Sequence, residues 1–254
     1  MIPKKIHYCW FGENSLPEKA QKCIASWKKY CPDYEIIEWN ENNYDINCCD
    51  YVKEAYQAKK WAFVSDYARF DILYKYGGLY FDTDVELIRS IDDIVAKGAF
   101  MGVENNVSKM VAPGLGLAVN PGDGLYKEIL EFYNNNNFLN KDGSFNQTTV
   151  VSYTTNILKQ HGLIEKSEIQ CIKDIYIYPY DYFCPMSYET GELSITENTR
   201  SIHHFSGSWH TPEELKFHRF EQKVRKIYGR KIAHVMGKIY SFPYRVQKKL
   251  NLMV

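Results

Sequence analysis

The chain has 254 residues, 45% hydrophobic and 24% charged, long enough for one water-soluble domain, alone or with an appendage. No apolar run approaches the ~20 residues of a membrane-spanning helix. Seven cysteines without a CxxC pair argue against structural zinc and for a reducing cytoplasm, as does an N-terminus that runs from Met1 straight into a strand with no leader pattern. The zero net charge is divided: from Lys216 onward there are 11 Lys+Arg against one acid, Glu221, leaving 20 basic and 30 acidic residues before it.

In chain order, IPKKIHYCWFG (2–12) reads as a strand entering a loop. SLPEKAQKCIASWKKY (15–30) follows as a helix, with Ser15 and Glu18 spaced as a capping box. YEIIEW (34–39) is a second strand. DYVKEAYQAKK and WAFVSDYARFDILYKY are helical, the latter stopped by Gly77 and Gly78. LYFD, VELI and GAFMGVE are strands. This alternation predicts an open α/β sheet with a parallel core. GLGLAV reads as a strand, DGLYKEILEFY and NQTTVVSYTTNILKQHG as helices, and EIQCI, DIYIYP and RSIHHF as strands. From Thr211 the chain is helical and basic, with interruptions at Gly229, Gly237 and Pro243. The expected division is residues 1–210 as a catalytic domain and 211–254 as a basic amphipathic helical segment.

In YGGLYFDTDVEL, Asp82 and Asp84 stand at a strand end, where sheets of this kind bind ligands. In extended backbone, alternate side chains share a face, so both carboxylates would meet one hard cation such as Mg²⁺ or Mn²⁺. Asp66 and Arg69 lie three apart on the preceding helix. SIHHFSGSWH adds two histidines, small residues and a tryptophan at another strand end.

The set IPKKIHYCWFG, SDYARFDILYKYGGLYFDTDVEL and IHHFSGSW resembles the sugar-binding-region glycosyltransferases with an Asp-x-Asp motif, glycosyltransferase family 32, whose bacterial members include capsular polysaccharide synthesis proteins. The resemblance covers roughly residues 1–210. It implies a GT-A fold, a Rossmann-like open mixed sheet flanked by helices. It also implies a nucleotide-sugar donor, UDP-linked in most bacterial relatives, a divalent cation (Mn²⁺, or Mg²⁺), and retaining transfer of a hexose to a glycan or lipid-linked glycan in surface polysaccharide synthesis. Asp84 would bind the metal and Asp82 the metal, its water, the ribose or the sugar. His204 would be the third metal ligand, with His203 as the alternative. Asp66 and Arg69 would hold the donor sugar, with Arg69 also near the diphosphate. Trp10 would stack on the base, while Asn40 and Tyr80 contact the nucleoside. Ser208 and Trp209 would close over the diphosphate, and Asn146 and Gln147 would stand near the reacting carbon. Gly114 and Gly116 would let backbone approach the sugar.

LYFDTDVEL also fits the nucleophile strand of haloacid-dehalogenase-type phosphatases, with Asp82 attacking phosphorus, Asp84 as acid and Mg²⁺. A non-catalytic glycan-binding or scaffold protein is the third reading. The basic segment, interleaved with apolar residues, has the composition of an interfacial helix on anionic lipid, placing the protein at the inner face of the plasma membrane. It carries no base-reading motif for nucleic acid.

Overall fold

A computed structural model of the chain describes residues 1–207 and 211–251. It falls into two compact units, Met1–Pro185 with Ser194–His204, and Met186–Leu193 with Phe205–Val254.

The first unit begins with β1 (Lys5–Cys9), α1 (Glu18–Tyr30), β2 (Glu35–Trp39), α2 (Asp50–Gln57) and α3 (Trp61–Tyr76). There follow β3 (Gly78–Tyr80), β4 (Val85–Leu87), α4 (Asp92–Val95), β5 (Ala99–Gly102), β6 (Leu117–Val119) and α5 (Gly124–Asn134). Then come α6 (Val150–Gln160), β7 (Gln170–Ile172), β8 (Ile175–Tyr178), α7 (Tyr180–Phe183) and β9 (Ser201–His203). Seven strands form one mixed sheet in the order β2-β1-β3-β6-β5-β8-β7, and β4 pairs with β9 in a second, two-stranded sheet. β1 runs parallel to both β2 and β3. β6 is antiparallel to β3 and β5, so β5 points the same way as β3. The result is the expected open α/β sheet flanked by helices, with the parallel strands ending along one edge.

The first helix starts later than its capping pattern predicts. α1 starts at Glu18 with Pro17 at its N-cap (φ −61°, ψ 152°), and Ser15 caps nothing. Proline pushes the residue before it out of helical backbone, so the helix cannot begin at Leu16. By contrast, α5 and α6 are capped by the side chains of Asp123 and Thr149.

α3 decides where the site lies. Val64, Tyr67, Ala68, Phe70, Ile72 and Leu73 are buried almost all round it, and so are Asp66, Arg69 and Asp71. A helix apolar on every side belongs inside, between α2, α5 and the sheet. It ends at Gly77 (φ 63°), whose N–H bonds back to Leu73 O at 2.8 Å. A Cβ on Gly77 would stand 2.6 Å from Pro121 Cδ, and one on Gly78 2.8 Å from Lys5 O. The glycine pair therefore both stops the helix and lets β3 lie directly against β1.

In the second unit, Met186 and Leu193 bridge a short hairpin. The helix α8 (Pro212–Asn251) turns sharply at Gly229, whose φ of 78° and ψ of 174° are not helical. Gly237 and Pro243, also expected as interruptions, stand inside helix. The two arms meet through Phe217 and Phe220 against Tyr240. Arg225 ties the hairpin to the first arm by ion pairs with Glu189 at 2.6 Å and Glu221 at 3.3 Å. No helix among the described residues is long and apolar enough to cross a membrane.

Candidate active site

The carboxyl ends of β1, β2, β3 and β5 share one edge of the sheet, and the candidate residues gather there because the chain leaves each strand at that edge. Trp10 follows β1, Asn40 follows β2, Asp82 and Asp84 follow β3, and Glu104 follows β5.

Asp82 and Asp84 do not continue strand β3. Strand β3 stops at Tyr80, and the N–H of Val85 bonds Asp82 O at 3.0 Å, closing a tight turn over Asp82-Thr83-Asp84. Short polar side chains favour such a turn over a continuing strand. The two carboxylates are therefore not brought to one face by strand alternation, and each has its own neighbours.

Asp82 is held from below. Tyr80 Oη donates to its Oδ1 at 3.0 Å, and Arg69 Nη2 lies 3.4 Å from the same oxygen. Arg69 is the hub: Nη2 also meets Asp66 Oδ1 at 2.9 Å, Nε donates to Ser65 O at 3.0 Å, and the guanidinium sits 5.0 Å over the Tyr80 ring. Burial alone would lower the Arg69 pKa, but Asp82, Tyr80 and Asp66 outweigh it and the guanidinium stays charged. Burial pushes the Asp66 carboxyl up to about 6, opposed by Arg69 and by the N–H of Val150 at the start of α6. Gly114 completes the cradle. Its carbonyl accepts from Asp82 N at 3.1 Å, and a Cβ on it would overlap Asp82 Oδ2. The space attributed to sugar at this glycine is taken by the carboxylate. Gly116 likewise makes room for the Phe81 ring, 2.9 Å from where its Cβ would be.

Asp84 pairs across the small sheet. β4 and β9 are antiparallel with Val85 opposite His203, and His203 Nε2 lies 3.2 Å from Asp84 Oδ1. Burial alone would lower the His203 pKa. Asp84, helped by Cys184, outweighs it and raises the pKa well above the usual value. His204, expected on the metal, points elsewhere: its N–H bonds Asp84 O at 3.0 Å, but its ring pairs with Glu86 Oε2 at 2.7 Å. Neighbouring side chains at a strand end face opposite ways, so only one of the two histidines can meet Asp84.

Tyr80 is fully buried, so its ring offers no face to a nucleoside; a strand between two others, covered on both sides, leaves it no exposure. Its hydroxyl serves Asp82 instead. Arg69 is 4% exposed and engaged by Ser65 O, Asp66 and Asp82, so it supports Asp82 rather than reaching a sugar. Trp10 is half-buried, with Nε1 donating to Asn14 O at 2.6 Å. The Asn40 side chain shapes the turn after β2, donating to Glu38 and accepting from Asn42 N. Asn146 Nδ2 donates to Tyr153 Oη at 2.8 Å, and Gln147 is exposed. Both precede α6, whose Val150 N–H reaches Asp66, which brings this segment to the Arg69 side of the site. Ser208 and Trp209 lie outside the described residues. Glu104 was missed from the sequence. Burial raises its carboxyl pKa, and the charge of His203 opposes that rise. The one available signal was a carboxylate ending a strand, GAFMGVE.

Among the described residues no three His, Cys, Asp or Glu side chains converge as a ready metal cage. Two carboxylates on one turn nevertheless fit a hard cation that takes its remaining oxygens from a diphosphate and water. Asp82 and Asp84 are the residues that would hold it.

Residues 17–101 match the model of the family described as glycosyltransferase sugar-binding region containing DXD motif. This stretch is similar to DXD-type glycosyltransferase sugar-binding regions. The match includes Asn40, Asp66, Arg69, Tyr80, Asp82 and Asp84, and it assigns LYFDTDVEL to the transferase motif rather than to a phosphatase strand. Inositol phosphoceramide mannosyltransferase 3 of Schizosaccharomyces pombe is 34% identical over 116 residues, 42% of this chain and 32% of that protein. Inositol phosphoceramide mannosyltransferase 1 of the same yeast is 30% identical over 111 residues, 39% of this chain and 33% of that one. Subversion of eukaryotic traffic protein A of Legionella pneumophila is 28% identical over 111 residues, 33% of this chain and 17% of that protein. The chain thus spans about a third of the length of the first two relatives. Among solved structures, PaToxG glycosyltransferase superposes with a TM-score of 0.48 at 18% identity, covering 63% of this chain and 69% of that one.

Proposed function

We propose that the chain is a metal-dependent glycosyltransferase that moves a hexose from a nucleotide sugar to a hydroxyl of a glycan or lipid-linked acceptor. The observation that carries this reading is the Asp82-Thr83-Asp84 turn at the carboxyl edge of the sheet, braced from below by the buried Arg69. Two of the relatives are named for mannose transfer to inositol phosphoceramide, which favours mannose as the sugar and a lipid headgroup as the acceptor. The sequence resemblance favours UDP as the nucleotide, a mannosyl donor favours GDP, and Mn²⁺ is the metal of this reading.

A divalent cation bound at Asp82 and Asp84 would neutralise the charge that develops on the departing diphosphate. The chain's own residues prepare that position. Arg69 and the Tyr80 hydroxyl fix the Asp82 carboxylate, Gly114 leaves it room, and His203 holds Asp84 against the small sheet. Asp66 keeps Arg69 in place and is itself anchored by the N–H of Val150. Trp10 and Asn40 lie along the same edge, and we read that side of the site as the nucleoside's. We read the transfer as retaining: the acceptor enters on the face the leaving group vacates, the leaving phosphate takes its proton, and no protein base is required.

The test is a panel of UDP- and GDP-linked hexoses assayed for nucleotide release with Mn²⁺ or Mg²⁺. At least one donor should be consumed only with metal, and Asp84→Ala should lose that activity. Failure of every donor to bind or turn over would overturn the reading.

A further inference from the structure

The second arm of α8 shows an apolar face turned away from its own partner arm. Past the bend at Gly229, Ala233 and Ser241 are buried, and Tyr240 packs on Phe217 and Phe220. A Cβ on Gly237 would touch the Glu221 side chain at 3.4 Å, so this face of the arm lies against the first arm. Ile232, Val235, Ile239 and Phe242 recur at spacings of three and four and project from the opposite side. They are 47%, 57%, 69% and 65% exposed. A surface helix ordinarily presents this stripe to a core; here the inward positions are already filled by small residues and one tyrosine.

The rim of the stripe is basic. Lys231 and Lys238 border it on one side, both exposed, and Ile227 and Tyr228 extend the apolar surface to the bend. From Lys216 to the C-terminus the only acid is Glu221, which pairs with Arg225 in the same unit. We propose that this face docks in the plane of an anionic lipid surface, with Ile232, Val235, Ile239 and Phe242 in the acyl boundary and Lys231 and Lys238 at the headgroups. Apolar residues on one side and cations at their rim are the two attractions that hold an interfacial helix. A second copy fits less well, because it would bring two strongly basic faces together. The proposal does not depend on the transferase activity.

The experiment is co-sedimentation of the full chain with vesicles of phosphatidylcholine alone and of phosphatidylcholine mixed with phosphatidylglycerol, alongside size-exclusion chromatography. The wild type should pellet with the anionic vesicles and stay in solution with the neutral ones. Val235→Ser/Ile239→Ser/Phe242→Ser should weaken binding roughly tenfold or more, and Lys231→Gln/Lys238→Gln should weaken it and lessen its salt dependence. All these side chains are exposed, so thermal unfolding should match the wild type. If the triple variant melts early, Ile239→Glu alone gives the same reading. Unchanged binding by the apolar variant, or no binding of the wild type to anionic vesicles, would overturn the proposal. So would a wild-type dimer that the apolar variant splits, which would make the stripe a contact between copies.

Discussion

Gly114 passes so close to Asp82 that a β-carbon built on it would overlap Oδ2 and stand 3.0 Å from Cγ. The position of a proposed metal-binding carboxylate thus depends on a missing methyl group in a segment 32 residues away. Gly114→Ala must push the Asp82 carboxylate out of the turn, away from Tyr80 and Arg69. Misplacing a reacting group by about an ångström costs up to ~100-fold. We expect metal-dependent turnover to fall by roughly that factor, with far-ultraviolet circular dichroism unchanged. Full activity in this variant would show that Asp82 needs no fixed position.

Arg69 is surrounded by two carboxylates and is 4% exposed. Removing it leaves Asp66 and Asp82 facing one another without a counter-charge. Arg69→Ala should destabilise the fold by about 3–5 kcal/mol, the usual cost of breaking a buried pair, read as a lower urea midpoint. Arg69→Lys should recover only part of this, since an ammonium cannot bridge Ser65 O and both acids at once.

The two histidines should separate cleanly. His203 meets Asp84 within a buried environment, whereas the His204–Glu86 pair is partly exposed, at 34% and 42%. Exposed pairs are worth about 0–1 kcal/mol. His204→Ala should therefore leave stability and the metal dependence of donor binding nearly unchanged. His203→Ala should shift the cation concentration needed for half-maximal binding. The reverse pattern, measured by metal titration, would make His204 the metal ligand.

His7 makes a pH prediction outside the site. It is fully buried, with Nδ1 accepting from Trp39 Nε1 at 3.0 Å and Nε2–H donating to Gly77 O at 3.0 Å. Burial lowers its pKa from 6.5 to about 4. The folded value lies below the unfolded one, so the stabilisation is present above pH 6.5 and is lost as pH falls toward 4. Its size is of order 3 kcal/mol. Asp66, raised to about 6 by burial, acts in the opposite sense, its contribution being lost as pH rises through that value. The comparison that isolates His7 is the wild type against His7→Gln, which keeps a donor and an acceptor. The stability difference between them should shrink in urea titrations as pH drops from 7 to 4. A difference independent of pH would contradict a neutral buried imidazole.

Much of this architecture is legible in the sequence. The alternation of apolar runs marked the strands and helices, and the all-round apolar surface of 61–76 marked α3 as a buried helix carrying Asp66 and Arg69. What stayed hidden depended on chain segments far apart. Whether His203 or His204 meets Asp84 is decided by the β4–β9 register, which pairs Val85 with a residue beyond position 200. The burial of Tyr80 follows from β3 lying between β1 and β6, and the purpose of Gly114 from its approach to Asp82. The turn at Asp82-Thr83-Asp84 was the local error: its residue types favour a turn, and the apolar run before them suggested a strand.

The most direct test of the central claim, that Asp82 and Asp84 hold a cation for a nucleotide sugar, is calorimetric donor binding with Mn²⁺ and with excess chelator. Wild type should bind tightly only with the cation, and Asp82→Asn/Asp84→Asn should bind equally weakly in both conditions while unfolding normally. Equal wild-type affinity with metal and with chelator would contradict the account.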